Sequence, residues 1–403
     1  MAWEKVKLGD IATCIQPGPF GSQLHNSDYS ESGTPIIMPK DMIDGKISHS
    51  NLIFVGEEHT KRLCRHQVHA GNLMVARKGD VRKCVFITEN EDGWMTGSDC
   101  LKVALKENYC YPRFIYYQLR SPFIGRWLEK ISIGATMPSI NTGLLSSIEL
   151  VLPSLKEQKR IADILSAYDN LIENNQKQIK LLEEAAQRLY KQWFIDLRYP
   201  GHETTKIVDG LPEGWHYKPV NSIVSLLSGY AFKSDSFSEN GRYKIVTIKN
   251  VQDGVFDGEN VSLVDDIPPK MPTHCVLNNG DVLLSLTGNV GRVCMVVGEN
   301  YLLNQRVAKL KSDYPSFTYC IFRSKDMYDE MNNLANGAAQ QNLSPIRTGQ
   351  IKIAVPPSDI LELFENEVNP IIAKILLLNK QNKSLSQSRD RLLPKLMNGE
   401  LEV

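Results

Sequence analysis

The chain has 403 residues, 42% of them hydrophobic and 23% charged, enough for two or more domains with buried cores. Lysine plus arginine equals aspartate plus glutamate at 46 each, so net charge alone points to no nucleic-acid partner. No apolar run approaches the roughly 18 residues of a membrane span. The start MAWEKVKLGD lacks the apolar stretch of a signal peptide, and eight cysteines without a CxxC pair read as the reduced thiols of a cytoplasmic protein.

Residues 1–152 read as a globular domain of short strands and a few helices. Within it, PIIMPKDMIDGKI (35–47) gives a strand, a polar Lys-Asp pair and an Asp-Gly hairpin turn. The stretch AGNLMVARKGDVRKCVFI (70–87) gives two apolar strands around a glycine turn, and 111–130 has the periodicity of a helix. Between Lys61 and Lys83 seven basic residues stand against one acid, Asp80, with His59, His66 and His69 alongside. A local patch of this kind suits phosphate contacts, although solvated basic faces are common.

Residues 153–198 form a long helix. Alternating steps of four and three meet Ile161, Leu165, Tyr168, Ile172, Asn175, Ile179, Leu182, Ala186, Leu189 and Trp193, a narrow apolar seam of coiled-coil type. Pro153 and Ser154 open the helix and Tyr199-Pro200-Gly201 closes it. From 156 to 194 it would be roughly 58 Å long. A polar linker, 199–212, follows.

Residues 213–355 repeat the first domain. WEKVKLGDI (3–11) corresponds to WHYKPVNSI (215–223), 35–47 to YKIVTIKNVQDGVF (243–256), and 70–87 to NNGDVLLSLTGNVGRVCMVV (278–297). A helix is expected at 316–334. GATMPSINTGLLSSIELVLP (134–153) lies over GAAQQNLSPIRTGQIKIAVP (337–356) at an offset of 203. A second long helix, 356–403, carries Phe364, Val368, Ile371, Ile375, Leu378, Asn382, Leu385, Arg389, Leu392 and Leu396, each 203 residues beyond its counterpart. That offset is a whole number of heptads, so the two segments are copies. Packed antiparallel, they would bring Asn175 against Asn382, a buried polar pair that fixes register. Pro370 should kink or restart the second helix. The fold class is α+β: two pseudo-symmetric globular domains separated by two long antiparallel coiled-coil helices.

Known catalytic patterns are missing. There is no Gly-rich cofactor loop and no Asn/Asp-Pro-Pro-aromatic motif. Gly45-Lys46 lacks the rest of a phosphate loop. Glu157-x-Lys159 lies on the helix without an upstream acid. Cys64-x-His66-x-x-His69 has no complementary cluster, so the histidines read as basic surface rather than zinc ligands.

Two variable domains, each followed by a helix of the type LPSLKEQKRIADIL…LLEEAAQRLYKQWF or VPPSDILELFENEV…SRDRLLPKLMNGEL, resemble the specificity subunit of a Type I restriction–modification system. The resemblance covers essentially the whole chain and is tightest in the helices. It implies target-recognition domains at 1–152 and 213–355 that read the two parts of a bipartite site in double-stranded DNA, with helices that set the spacing. It also implies two methyltransferase subunits docked on those helices and motor–nuclease subunits beyond them. S-adenosylmethionine, ATP and magnesium would belong to these partners, and this subunit would be non-catalytic and hold no cofactor. A rival reading is a scaffold whose duplicated domains bind protein; a self-contained enzyme is disfavoured by the missing motifs.

Arg, Lys, Asn and Gln in exposed turns are the side chains that reach base edges and phosphates. The first domain offers Lys40, Arg77, Lys78, Arg82, Lys83 and Thr136. The second offers Lys249, Asn250, Thr287, Asn289, Arg292, Asn304, Gln305, Arg306, Gln340, Gln341 and Asn342. The loop 337–342 and its counterpart 134–139 resemble a loop common in the family. Ile164, Leu171, Leu376 and Leu377, beside the seams, are candidates for partner contacts, and Gly18, Gly21 and Gly229 for backbone turns.

Overall fold

The computed structural model describes residues 3–134, 138–335 and 341–403. They form two compact units, Met1–Asn170 with Leu385–Val403, and Leu171–Ser384. Each unit contains one of the sequence repeats and a stretch of both long helices.

In the first unit an antiparallel sheet runs in the order Ala12–Pro17, Cys100–Leu105, Leu73–Ala76, Cys84–Phe86. A second sheet runs Met95–Thr96, Thr34–Ile37, Ile53–Val55, Tyr29–Ser30, with the first pair parallel. Glu4–Lys7 pairs with Glu149–Leu152. The continuous apolar run LMVA is explained by burial on both faces. Leu73 and Val75 face a core shared with Ile161, Leu165, Leu393 and Leu396 of the long helices, while Met74 and Ala76 face an outer core with Ile37 and Val85.

The second unit repeats the first sheet and three strands of the second. One sheet runs Ser225–Ser228, Val307–Lys311, Val282–Ser285, Val293–Met295, and the other Ser262–Val264, Tyr243–Val246, Tyr301–Leu303, Val276–Leu277, where the parallel pair is central because the fourth strand adds beside Tyr301–Leu303 instead of at the opposite edge. His216–Pro219 pairs with Lys352–Val355. Val282 and Leu284 point to the helix-side core and Leu283 to the outer one. The expected helices at 111–130 and 316–334 are each divided, into Pro112–Leu119 with Pro122–Ile131 and Pro315–Phe322 with Lys325–Leu334. Ser121 and Ser324 cap the second members by accepting from Ile124 and Met327, which stops the first helix and starts a new one.

The long helices are Leu155–Tyr190 and Ser358–Met397. Ser154 Oγ accepts from the Glu157 amide at the start of the first. That helix ends in a wider π-turn, Lys191–Ile195, and Leu197 then takes a left-handed φ of 56°, ahead of the expected stop at Tyr199. Phe194 sits among Trp215, Phe317 and Phe364, with centroids 5.9, 4.8 and 4.8 Å away.

Within the second unit the two helices are antiparallel. Trp193 packs on Phe364 with ring centroids 5.5 Å apart, and further along Asn175 Nδ2 donates to Asn382 Oδ1 at 2.9 Å. Of the seam residues, Ile161, Leu165, Asn175, Phe364, Val368, Ile375 and Leu378 are buried. Tyr168, Ile172, Ile179, Leu182, Leu189, Ile371, Asn382, Leu385 and Leu392 are half-buried. The expected restart at Pro370 does not occur, since the second helix is continuous from Ser358 to Met397. Pro370 is on the exposed side, and buried Val368 and Ile372 hold the turn through the one hydrogen bond it lacks.

Replacing Asn382 alone by leucine leaves the buried Asn175 amide without its partner and is expected to cost about 1–3 kcal/mol. Replacing both asparagines by leucine is expected to recover most of that loss while relaxing register. Urea unfolding of the two single variants and the double variant, read as a double-mutant cycle, measures the pair.

Candidate nucleic-acid interface

In each unit the helix-backed sheet ends in a hairpin tip that is stitched to the segment just ahead of the last strand. In the first unit the tip joins Leu73–Ala76 to Cys84–Phe86 and turns at Gly79, φ 78°. The Gly79 amide donates to Pro138 O at 3.0 Å and the Ile140 amide to Arg77 O at 2.9 Å. This brings Arg77, Lys78, Arg82 and Lys83 onto one turn. The Arg77 guanidinium lies 5.9 Å from the ring of the exposed Phe20. Lys83 Nζ donates to Pro39 O at 2.9 Å, which sets it beside the Pro39–Asp41 turn that carries the exposed Lys40.

Several of these cations already face acids. Lys78 pairs with Asp99 at 3.0 Å, and Arg82 with Asp80 at 2.9 Å and Glu129 at 3.1 Å. The Arg82 hydrogen bond holds the Asp80 carboxyl below its usual range. Such exposed pairs are worth little, so phosphates can compete for the cations. Thr136 lies outside the described residues.

In the second unit the tip between Val282–Ser285 and Val293–Met295 is uncharged up to Arg292. The Gly288 amide donates to Gln341 O at 3.0 Å and the Leu343 amide to Leu286 O at 2.7 Å. Thr287 Oγ1 donates to Asn342 Oδ1 at 3.2 Å. Thr287, exposed Asn289, Gln341 and Asn342 therefore share one edge. Arg292 is tied to Gln252. Gln340 lies outside the described residues.

A second cluster forms a cleft lined by Thr247, Lys249, Glu259, Asn260, Ser262, Asn304 and Arg306. Gln305, exposed, stands between Asn304 and Arg306. Asn260 and Ser262 carry no signal in the sequence. Asn260 lies in a loop without periodicity and Ser262 opens the strand Ser262–Val264, and only the fold brings them to the cleft with Asn304.

Two expectations are corrected. Asn250 is fully buried. Its Oδ1 accepts from the Thr247 amide and hydroxyl, and its Nδ2 donates to Asp257 O and Asn260 O at 2.9 and 3.0 Å, so it staples the loop and has no free edge for a base. His66 is not basic surface. It is buried, with Nδ1 3.0 Å from Pro17 O, and burial lowers its pKa. Among the described residues, no group of three His, Cys, Asp or Glu side chains is arranged to hold a metal ion.

Gly18 and Gly229 permit close backbone approach at the root of each site. A Cβ on Gly18 would stand 2.1 Å from Gly97 O, and one on Gly229 2.2 Å from Asn304 O. Gly229→Ala should therefore push Asn304 out of the cleft and destabilise the unit by about 1–3 kcal/mol. A thermal melt should show the loss, and an unchanged melting temperature would show that the contact yields freely.

Beside the seams, Ile164 packs into the first core and Leu376 onto the second, whereas Leu171 and Leu377 are 51% and 48% exposed.

The chain thus carries one fold twice, with different polar edges on the two copies. The model of the Type I restriction modification DNA specificity domain matches it twice, at residues 2–184 and 212–385, and the chain belongs to that family. Over its whole length it is 30% identical to the MjaIX specificity subunit of Methanocaldococcus jannaschii, covering 94% of that protein. It is 23% identical to the HindI specificity subunit of Haemophilus influenzae, covering 99% of each. The crystal structure of the S subunit from M. genitalium has the same fold, with a TM-score of 0.58 over 98% of this chain and 96% of that one, at 17% identity.

Proposed function

We propose that each unit reads one part of a bipartite, asymmetric site in double-stranded DNA, and that the chain is the non-catalytic member of its complex. The observation that carries this reading is the duplicated hairpin tip. It has the same backbone stitching in both units but presents Arg77, Lys78 and Lys83 in one and Thr287, Asn289 and Asn342 in the other. Two scaffolds with one topology and different polar edges suit two different short sequences, because base edges are told apart by the donors and acceptors presented to them.

The chemistry would belong to partners. Two methyltransferase subunits would bring S-adenosylmethionine, and motor–nuclease subunits would use ATP and magnesium. A groove that occurs twice supports a partner bound twice. Ser121, Ile124, Leu150 and Met397 line it in the first unit, and Ser324, Met327, Ile353 and Phe194 at positions 203 away line it in the second. Eight unpaired cysteines fit work in the reducing cytoplasm.

Binding of the full chain, with and without its methyltransferase partner, to random duplex DNA as salt is varied tests the reading. Phosphate contacts release counterions, so log K should fall with log salt by about 0.9 per contact. A flat response would favour the protein-binding scaffold.

A further inference from the structure

The cleft of the second unit is walled by a loop, 247–262, that makes little regular structure of its own. Among the described residues its one β-bridge ahead of the strand that ends it joins Val251 and Phe256. Side chains of both long helices hold it. Lys383, next to the Asn382 register residue, donates from Nζ to Tyr301 Oη at 3.2 Å and stands 3.7 Å from the Glu259 carboxylate. Tyr301 is fully buried, lies edge-on to Phe256 at 4.9 Å, and donates to Gly258 O at 3.2 Å.

At the other end, Arg323 pairs with Asp253 and, at 3.3 Å, with Glu183 of the first long helix, which also accepts the Tyr319 hydroxyl at 2.7 Å. The Arg323 guanidinium fills the space beside Gly254, where a Cβ would meet it at 2.8 Å. Asn250, ahead of both anchors in the chain, ties the loop to itself at Asp257 and Asn260.

We infer that Lys383 and the Glu183–Arg323 pair are positioning residues, which hold the 247–262 loop, and with it the cleft of Lys249, Asn304 and Arg306, in place on the helix pair. The inference rests on the DNA-reading role proposed above. Among the described residues Lys383 meets the loop through Tyr301 and at Glu259, and it is not one of the residues that line the cleft. It therefore acts on the shape of the cleft and makes no phosphate contact of its own, unlike Lys249 and Arg306 on the lining.

The test uses the full-length chain. In Lys383→Met and in Glu183→Gln, amides of 251–262 should exchange with solvent faster, on the order of tenfold for loss of a charged hydrogen bond, while those of the Val282–Ser285 strand keep their rates. Lys383→Arg should restore slow exchange. With the methyltransferase subunit bound, Lys383→Met should weaken binding to a duplex carrying the cognate site, again on the order of tenfold, and leave the salt slope unchanged. Lys249→Ala should instead lower that slope by about one. Unchanged exchange in 251–262 for both variants would overturn the inference, as would a salt slope reduced in Lys383→Met. If the unaltered complex bound no DNA, the reading role would fail, and the exchange rates would still decide whether the helices anchor the loop.

Discussion

Exchanging residues 213–355 for the corresponding domain of another family member is expected to change one half of the recognised sequence and leave the other half as it was. The second unit's two four-stranded sheets and its polar edge lie within that segment, and the first unit's hairpin turn, residues 77–83, lies outside it. The exchange removes Lys249, Thr287, Asn289, Asn304, Gln305, Arg306, Gln341 and Asn342 together. A single substitution among them should cost only about 1–3 kcal/mol of base discrimination. Replacing the whole edge should abolish recognition of the old half-site. Asn175 and Asn382 stay in the chain, so the helix register is kept. Sequencing the methylated bases in cells that carry the complete system checks the outcome, and a change in both halves would mean that the two units do not read independently.

Asp169→Asn should be the most damaging single substitution on the helix pair of the first unit. Asp169 accepts from Arg389 at 2.6 Å and from the Tyr117 hydroxyl at 2.6 Å, with the Asp169 and Arg389 side chains only 12% and 18% exposed. Burial, with Asp169 beside it, raises the Tyr117 pKa, so the phenol stays a donor. Loss of the carboxylate leaves a half-buried guanidinium supported mainly by Asp390 at 2.8 Å. The expected cost is about 3 kcal/mol, toward the lower end for a broken buried pair because Asp390 remains. Replacing Asp169 and Arg389 together by leucine and methionine, with Tyr117→Phe so that no buried hydroxyl loses its acceptor, should be far milder, since an apolar pair of similar size often replaces a buried ion pair without loss. Urea unfolding of the single and combined variants decides, and equal losses would show that packing rather than charge governs the site.

The parts legible in the sequence are those set by periodicity. Heptad phase identified both helices and brought Asn175 to Asn382, because a seam position in a continuous helix is fixed by counting alone. The two Asp-Gly turns were readable from local chemistry: Asp44 and Gly45 take φ of 49° and 80°, and Gly254 of 74°.

What the residues did not disclose depends on tertiary neighbours. Asn250 has the composition of a base reader, yet a loop that folds back on itself makes it a staple. Lys383 looks like any solvated charge beside a seam, and only the fold brings it to Tyr301. Proline divided the two cases differently. Pro122 follows a capping serine and begins a helix, where its missing N–H costs nothing, while Pro370 is carried along by the apolar residues on either side of it.

The claim that the chain reads DNA with two separate heads is tested most directly by sequencing the methylated bases in cells carrying the unaltered complete system. The account predicts one motif made of two short defined blocks with a constant number of unspecified bases between them. A single uninterrupted block, or methylation without any shared sequence, would contradict it.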